Sequence, residues 1–277
     1  METGLFPPPG HDTQDQPFRR GNFAFAYAWL EGVDSLDALL AYIDGLRATD
    51  LDHRYLCTLD DINQCNYTCG HAGNDERLSL DAPNDMDWDD PAQQAAWQLA
   101  SLQHRVQQLA KPELAQTWAS VCGTLNTGGD DVEALLTANH NPNLLVEDVI
   151  YVQRLPVEAD DLLIAGQPNG YFSADWDSFQ NHAIIRHLAT QYGYRFFGMG
   201  AAWMGFVRPA PLAPEQANRL VGELRDLYGK GNDEAAGHEA WAALAQVLQA
   251  RRTLVLGYIE NMAESLMEDD EEEDDDG

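Results

Sequence analysis

The feature that most limits the possible folds of this chain lies between residues 194 and 207. Two short apolar runs flank a pair of glycines there. Tyr194–Phe197 and Trp203–Val207 carry large apolar side chains, and Gly198 and Gly200 lie between them. Runs of this length are typical of strands, and glycine permits the positive φ angles of a tight turn. The segment therefore predicts an antiparallel hairpin, which needs further sheet or packed helices to bury its apolar faces.

On both sides of this hairpin in the sequence, apolar residues recur at helical spacing. This spacing predicts helices over about residues 35–45, 91–109, 178–192 and 214–229, and a long final helix over about 233–262. The other apolar runs are short and strand-like, and they cover residues 23–30, 146–155 and 161–165. We therefore expect an α+β fold with a helix-rich N-terminal half. A small mixed or antiparallel sheet with packed helices would form the C-terminal half.

Composition divides the chain into three parts. Residues 1–20 are rich in Pro, Gly, Asp and Gln, which predicts a flexible arm. Residues 21–262 are expected to form a single α+β domain, although a composition shift near residue 140 leaves a subdivision there open. Residues 263–277 predict a disordered acidic tail, because like charges repel each other and bury no apolar area.

The net charge of the chain is strongly negative. Asp and Glu number 46 against 16 Lys and Arg, giving −30, and removing the nine acids of residues 268–276 still leaves −21. A body of this sign repels phosphate backbones and anionic membrane surfaces, and it speeds the encounter with basic molecules. Negative charge also favours solubility, so charge alone does not identify a partner. We expect a basic protein partner, with no direct nucleic-acid or membrane binding.

The chain carries no targeting or catalytic signature. Its first residues lack the basic start and apolar run of a signal peptide, and no stretch reaches the ~20 apolar residues of a membrane span. A cytoplasmic location with reduced cysteines is therefore expected. The sequence also contains no nucleophile elbow, no phosphate-binding loop and no His-Glu-x-x-His helix.

Three cysteines and a histidine form a candidate zinc set in residues 49–90, a segment predicted to be irregular. Cys57, Cys65, Cys69 and His71 are separated by seven, three and one residues. The residue types suit tetrahedral zinc, but this spacing differs from that of paired zinc knuckles. Cys65 and Cys69 would share a face only in a helix, and their segment has poor helix propensity. Reduced cysteines packed on the core are the main expectation, and structural zinc is the alternative cofactor.

Two further motifs match known sites incompletely. Residues 198–203 resemble a dinucleotide-binding turn, but Trp203 replaces the third glycine and a strand is predicted to follow. Residues 85–89 resemble the start of a calcium loop. Asp90 stands where that loop needs glycine, and Ala96 stands where it needs glutamate. A hairpin turn and an acidic turn before a helix are therefore expected instead.

The stretch from Gly170 to Phe206 has a pattern of its own. It consists of Tyr171-Phe172, Asp175, Phe179, His182, His187-Leu188, Tyr192-Gly193-Tyr194 and Gly198 to Gly200. This pattern resembles a family of bacterial domains classed as of unknown function. The resemblance implies a bacterial cytosolic helper, toxin-immunity or regulatory protein, and it brings no established activity or binding residue.

Together these observations favour a non-enzymatic bacterial interaction protein that binds a basic protein, in the manner of an immunity protein or inhibitor. Trp88, Trp97 and Trp176 are candidate aromatic anchors for this partner, and a core position is the equal alternative for each of them and the main expectation for Trp97. The expected binding residues are Asp85, Asp87, Trp88, Asp89, Asp175, Trp176 and Asp177.

Two alternatives stay open, together with the oligomeric state. The first is a nucleic-acid mimic that inhibits a DNA-binding protein, which needs carboxylates arrayed along one face. The second is an enzyme in which His182 or His187 acts with Asp175 or Asp177. That enzyme requires these groups to converge in one pocket.

Overall fold

A computed structural model of the chain describes residues 1–8, 11, 16–229 and 236–267. The strands are β1 (Glu2–Leu5), β2 (Ala26–Glu31), β3 (Arg54–Thr58), β4 (Val149–Leu155), β5 (Arg195–Met199), β6 (Trp203–Val207) and β7 (Thr253–Gly257). Over the described residues they form one seven-stranded sheet in the order β1-β2-β4-β3-β5-β6-β7. Only the β3–β5 pair is parallel among these, so the sheet is mixed. The predicted α+β class is confirmed.

Helices cover much of the remaining described chain. The α-helices are α1 (Leu36–Thr49), α2 (Ile62–Ala72), α3 (Pro91–Leu109), α4 (Trp118–Val121), α5 (Gly129–His140), α6 (Ser178–Tyr192), α7 (Pro214–Tyr228) and α8 (Ala236–Ala250). Short 3-10 helices cover Pro142–Leu145, Asp160–Ala165 and Glu264–Leu266. The ends of α6 follow the sequence closely: Asp177 caps its first turn, and Gly193 ends it at a φ of 71°.

The sheet is larger than the sequence predicts. Strands from both sides of residue 140 pair with each other, because β4 lies between β2 and β3. The predicted final helix over about 233–262 is wrong, since α8 ends at Ala250 and the fully buried β7 follows. The strand predicted over residues 161–165 is also wrong, because a 3-10 helix replaces it. Short apolar runs carry too little periodicity to separate these states.

Both predicted terminal appendages are partly structured. Residues 2–5 of the predicted arm form β1 and pair with β2, and Phe6 is buried against Tyr151. Glu264–Leu266, within the predicted tail, form a 3-10 helix. The acids of residues 268–276 lie outside the described residues.

Strand direction brings several loops to one edge of the sheet. The pairings give β2, β3, β5 and β7 a common direction. Their carboxyl ends therefore meet at the same edge, which is where open mixed sheets commonly bind ligands.

Candidate functional site

Hydrogen bonds join the loops that follow β3, β5 and β7 at this edge. The Ala201 amide donates to the Asp60 carbonyl at 3.0 Å, and the Tyr258 amide donates to the Ala202 carbonyl at 2.9 Å. The buried Tyr258 hydroxyl lies 2.7 and 2.6 Å from the Gly200 and Ala201 carbonyl oxygens, which share its single proton. The three loops therefore form one connected base for a site.

A cavity of about 800 Å³ lies over these loops, and we call it the acidic cleft. Of the described residues that line it, none is Lys, Arg or His. Six of them are acidic: Asp60, Asp61, Glu147, Asp175, Glu260 and Glu264. Asp61, Glu260 and Glu264 are exposed, Glu147 and Asp175 are half-buried, and Asp60 is only 7% exposed. The cleft therefore favours a positively charged ligand.

Asp60 is the most buried acid of the acidic cleft. Its Oδ2 accepts a hydrogen bond from the Ala202 amide at 2.8 Å, whereas Oδ1 has no hydrogen-bond partner among the described residues. Burial raises the pKa of Asp60 to about 7, and the nearby charge of Glu147 contributes in the same direction. A Cβ atom on Gly200 would lie 1.9 Å from Oδ1, so glycine is needed for the turn to approach the carboxylate this closely.

Asp175 shows the same effect at a half-buried position. Its pKa is raised to about 6 by burial, and the charge of Glu260 adds to the increase. Elsewhere in the chain, hydrogen bonds from His53, Tyr55 and Arg154 lower the pKa of Asp50. The raised pKa values of Asp60 and Asp175 are therefore typical of carboxyl groups that lack a cationic partner.

The acidic surface continues beyond the acidic cleft. A second cavity of about 380 Å³ shares Asn261, Glu264 and Met267 with it and adds Asp130 and Asp131. The described residues that line this second cavity likewise include no Lys, Arg or His. An elongated basic segment could therefore contact both cavities.

The predicted binding residues before α3 lie apart from the acidic cleft. Asp85, Asp87, Trp88 and Asp89 are exposed and do not line it. Trp88 is 55% exposed and packs edge-on against Trp97, with ring centroids 5.5 Å apart. These residues form a separate surface of the chain.

Three of the predicted binding residues follow Gly170 in the sequence. Asp175 lines the acidic cleft, whereas Trp176 and Asp177 do not. The expectation that Trp176 anchors a partner is wrong, because this side chain is 1% exposed and donates to Thr124 Oγ1 at 3.0 Å. Asp177 caps α6 and pairs with Arg77 at 2.9 Å. Packing therefore buries Trp176, whereas Asp177 stays half-buried beside Arg77.

The candidate zinc residues are not brought together. Residues 54–58 form β3 and residues 62–72 form α2, which corrects the prediction of an irregular segment there. Cys65 and Cys69 are buried on one face of α2, whereas Cys57 is in the core on β3. His71 instead stacks on Tyr171. Among the described residues, no group of three or more His, Cys, Asp or Glu side chains is placed to hold a metal ion.

The histidines of α6 do not meet the predicted acids. His182 Nε2 lies 3.6 Å from Asp161, and His187 Nε2 lies 2.7 Å from Glu223. Neither histidine pairs with Asp175, which lines the acidic cleft, or with Asp177, which caps α6. The predicted catalytic group therefore does not converge.

Over the described residues, no helix has the length and apolar character needed to cross a membrane. Compared with known proteins, the chain matches no protein-family model, no curated protein and no solved structure.

Proposed function

We propose that this chain is a non-enzymatic, bacterial, cytoplasmic interaction protein of the immunity or inhibitor type, and that it binds a basic protein through the acidic cleft. One observation carries the proposal: six carboxyl groups and no basic side chain are found among the described residues that line the cleft. Such a cleft attracts basic partners and speeds their encounter.

The lining favours a basic side chain over a metal ion. Ile62, Leu144, Phe172 and Ile259 contribute apolar surface beside the carboxylates. Lys and Arg combine a charged head with an apolar stem, so both parts of either side chain find matching surface. The nucleic-acid-mimic alternative receives less support, because Asp60 is buried inside a cavity and a mimic needs its acids along an exposed face.

Neutralising the rim of the acidic cleft should strongly reduce capture of the basic partner. We expect Glu260→Gln/Glu264→Gln to reduce capture from native bacterial lysate at least about tenfold, because two charges facing the ligand are lost. Capture by the wild-type chain should persist at about 0.15 M salt, where charges are screened beyond ~8 Å. Quantitative mass spectrometry of the captured proteins provides the measurement.

Asp85→Asn/Asp89→Asn is the matched control, since it removes the same charge from the other predicted surface. It should capture as much basic protein as the wild type does. Equal losses in both variants would show that net charge alone governs capture. Failure of the wild-type chain to recover any basic protein would contradict the proposal itself.

Removing the acids of residues 268–276 should leave the fold intact and slow the association. Met267, which directly precedes these nine acids in the sequence, lines the acidic cleft. A chain that ends at Met267 should keep its thermal midpoint within about 2 °C, because no apolar run is lost. Its association rate with a basic partner should fall at low salt and match the wild-type rate at high salt. A large loss of thermal stability would contradict this prediction.

A further inference from the structure

Four aromatic rings in mutual contact form a surface beside the acidic cleft, and we call Tyr67, His71, Tyr171 and Phe172 the ring surface. The centroids of Tyr67 and His71 are 4.4 Å apart, and those of His71 and Tyr171 are 4.6 Å apart and stacked. Tyr171 and Phe172 follow at 5.2 Å. The contacts join α2 to the loop after Gly170, so the rings hold each other in place.

The ring surface is exposed and continuous with the acidic cleft. Tyr67 is 51% exposed, Tyr171 44% and Phe172 49%. Phe172 also lines the cleft, so the aromatic and acidic surfaces meet at this side chain. Exposed aromatic side chains packed as a group are typical of binding hot spots, which are rich in Tyr, Trp and Arg.

The nearby Arg77 is held by other partners than these rings. Arg77 shares a neighbouring cavity with Tyr171, but its guanidinium pairs with Asp75 at 2.6 Å and Asp177 at 2.9 Å. It also lies over the ring of Phe179, at 4.7 Å from the centroid. The guanidinium of Arg77 is therefore engaged elsewhere.

The chain's own arginines show which chemistry fits an aromatic face beside a carboxylate. Arg154 lies over the ring of Tyr27 at 5.5 Å, and it pairs with Asp50 at 2.7 Å. Arg219 lies over the ring of Tyr192 at 4.8 Å. A guanidinium can stack on a ring and bind a carboxylate together, because it is planar and weakly hydrated. The ring surface and the acidic cleft offer this same combination.

We infer that the ring surface and the acidic cleft together bind an arginine-bearing segment of the basic partner, with a guanidinium stacked on Tyr171 or Phe172. This inference rests on the proposed function and specifies its ligand. Asp60 adds a carboxyl group below the exposed rim, because this residue lines the cleft and is only 7% exposed. A second copy of this chain is a poor occupant, since its charge is also −30.

Two synthetic peptides of equal length and charge test the inference. One alternates glycine with arginine, the other alternates glycine with lysine, and isothermal titration calorimetry measures the affinity of each for the full chain. We expect the arginine peptide to bind about fivefold more tightly, because stacking favours guanidinium over ammonium. Tyr171→Leu/Phe172→Leu should abolish this preference and lower the affinity for the arginine peptide about fivefold.

Trp88→Leu is the matched control, because it removes an aromatic ring of similar exposure outside the acidic cleft. It should leave both affinities unchanged. Circular dichroism confirms that each variant is folded, and the wild-type comparison of the two peptides requires no variant. Equal wild-type affinities would therefore overturn the inference even if a ring variant failed to fold.

The remaining outcomes separate the two proposals. If neither peptide binds the wild-type chain, the proposed function fails and the inference fails with it. If both peptides bind equally and Glu260→Gln/Glu264→Gln alone weakens them, only the role of the ring surface is overturned. Analytical ultracentrifugation tests whether a second copy of the chain occupies the ring surface instead. If the wild-type chain is a dimer and Tyr171→Leu/Phe172→Leu is a monomer, the ring surface is a dimer interface and the inference is overturned.

Discussion

Asp60→Asn should be more stable than the wild-type chain at about pH 8, by up to about 4 kcal/mol, and should match it near pH 4. Asp60 is 7% exposed, and burial raises the pKa of its carboxyl group to about 7. An unfolded chain ionises aspartate near pH ~3.9. Each pKa unit of difference corresponds to about 1.36 kcal/mol, which gives the stated upper value.

The direction of the effect follows from proton binding. Between about pH 4 and pH 7 the folded chain holds a proton on Asp60 that the unfolded chain has released. Raising the pH through this interval therefore destabilises the wild-type fold. Asparagine cannot ionise, and its side-chain oxygen can still accept the hydrogen bond that the Ala202 amide donates. The variant consequently lacks this loss of stability.

Chemical denaturation at a series of pH values measures the free energy of unfolding of both chains. Asp61→Asn is the control, since it removes an exposed charge from the adjacent residue and keeps an N-cap for α2. It should not show the gain of stability at about pH 8 that we expect of Asp60→Asn. A pH profile of Asp60→Asn that runs parallel to that of the wild type would show that Asp60 ionises alike in the folded and unfolded chain.

A gain of stability at neutral pH would also bear on function. It would mean that the wild-type chain keeps a buried carboxyl group that destabilises it, which is typical of groups that serve a ligand. The arginine peptide should therefore bind Asp60→Asn more weakly although that variant is the more stable protein. Opposite changes in stability and affinity are not expected of a residue that only supports the fold.

The elements predicted correctly are those with strong local signals. Helix α6 is capped at its start by Asp177, whose side chain accepts from the Phe179 and Gln180 amides, and at its end by Gly193, which has a positive φ. The hairpin of β5 and β6 combines short apolar runs with a glycine turn. In these segments the local preference and the tertiary packing agree.

The acidic cleft was not predictable because it depends on elements with weak or misleading local signals. Residues 62–72 have poor helix propensity, yet the Asp61 cap and burial of Cys65 and Cys69 support α2. The run over residues 253–257 follows α8 so closely that its apolar residues suggest a continued helix. Without β3 and β7, nothing in the sequence places Asp60 and Glu260 at the same edge of a sheet.

Replacing Gly170 with alanine should destabilise the fold by about 3–5 kcal/mol and lower the thermal midpoint by about 10 °C. The φ of Gly170 is +91°, a region that side chains with a Cβ rarely adopt. A Cβ atom there would lie 1.9 Å from the Trp176 carbonyl oxygen. That oxygen accepts from Asn181 at 2.9 Å, and the Trp176 amide donates to Tyr258 at 3.0 Å, so the backbone has little freedom to move.

Gly193→Ala is the matched control, because Gly193 has a φ of +71° and a Cβ atom there would meet nothing within 4 Å. It should cost only about 1 kcal/mol, the penalty of the left-handed conformation alone. Thermal and denaturant unfolding of both variants separate steric overlap from backbone preference. Similar losses of stability in the two variants would contradict the overlap at Gly170.

Because Gly170 directly precedes Tyr171 and Phe172, we also expect Gly170→Ala to weaken binding of the arginine peptide under conditions where it remains folded. Gly193→Ala changes no residue of the ring surface, so it should bind this peptide as the wild type does.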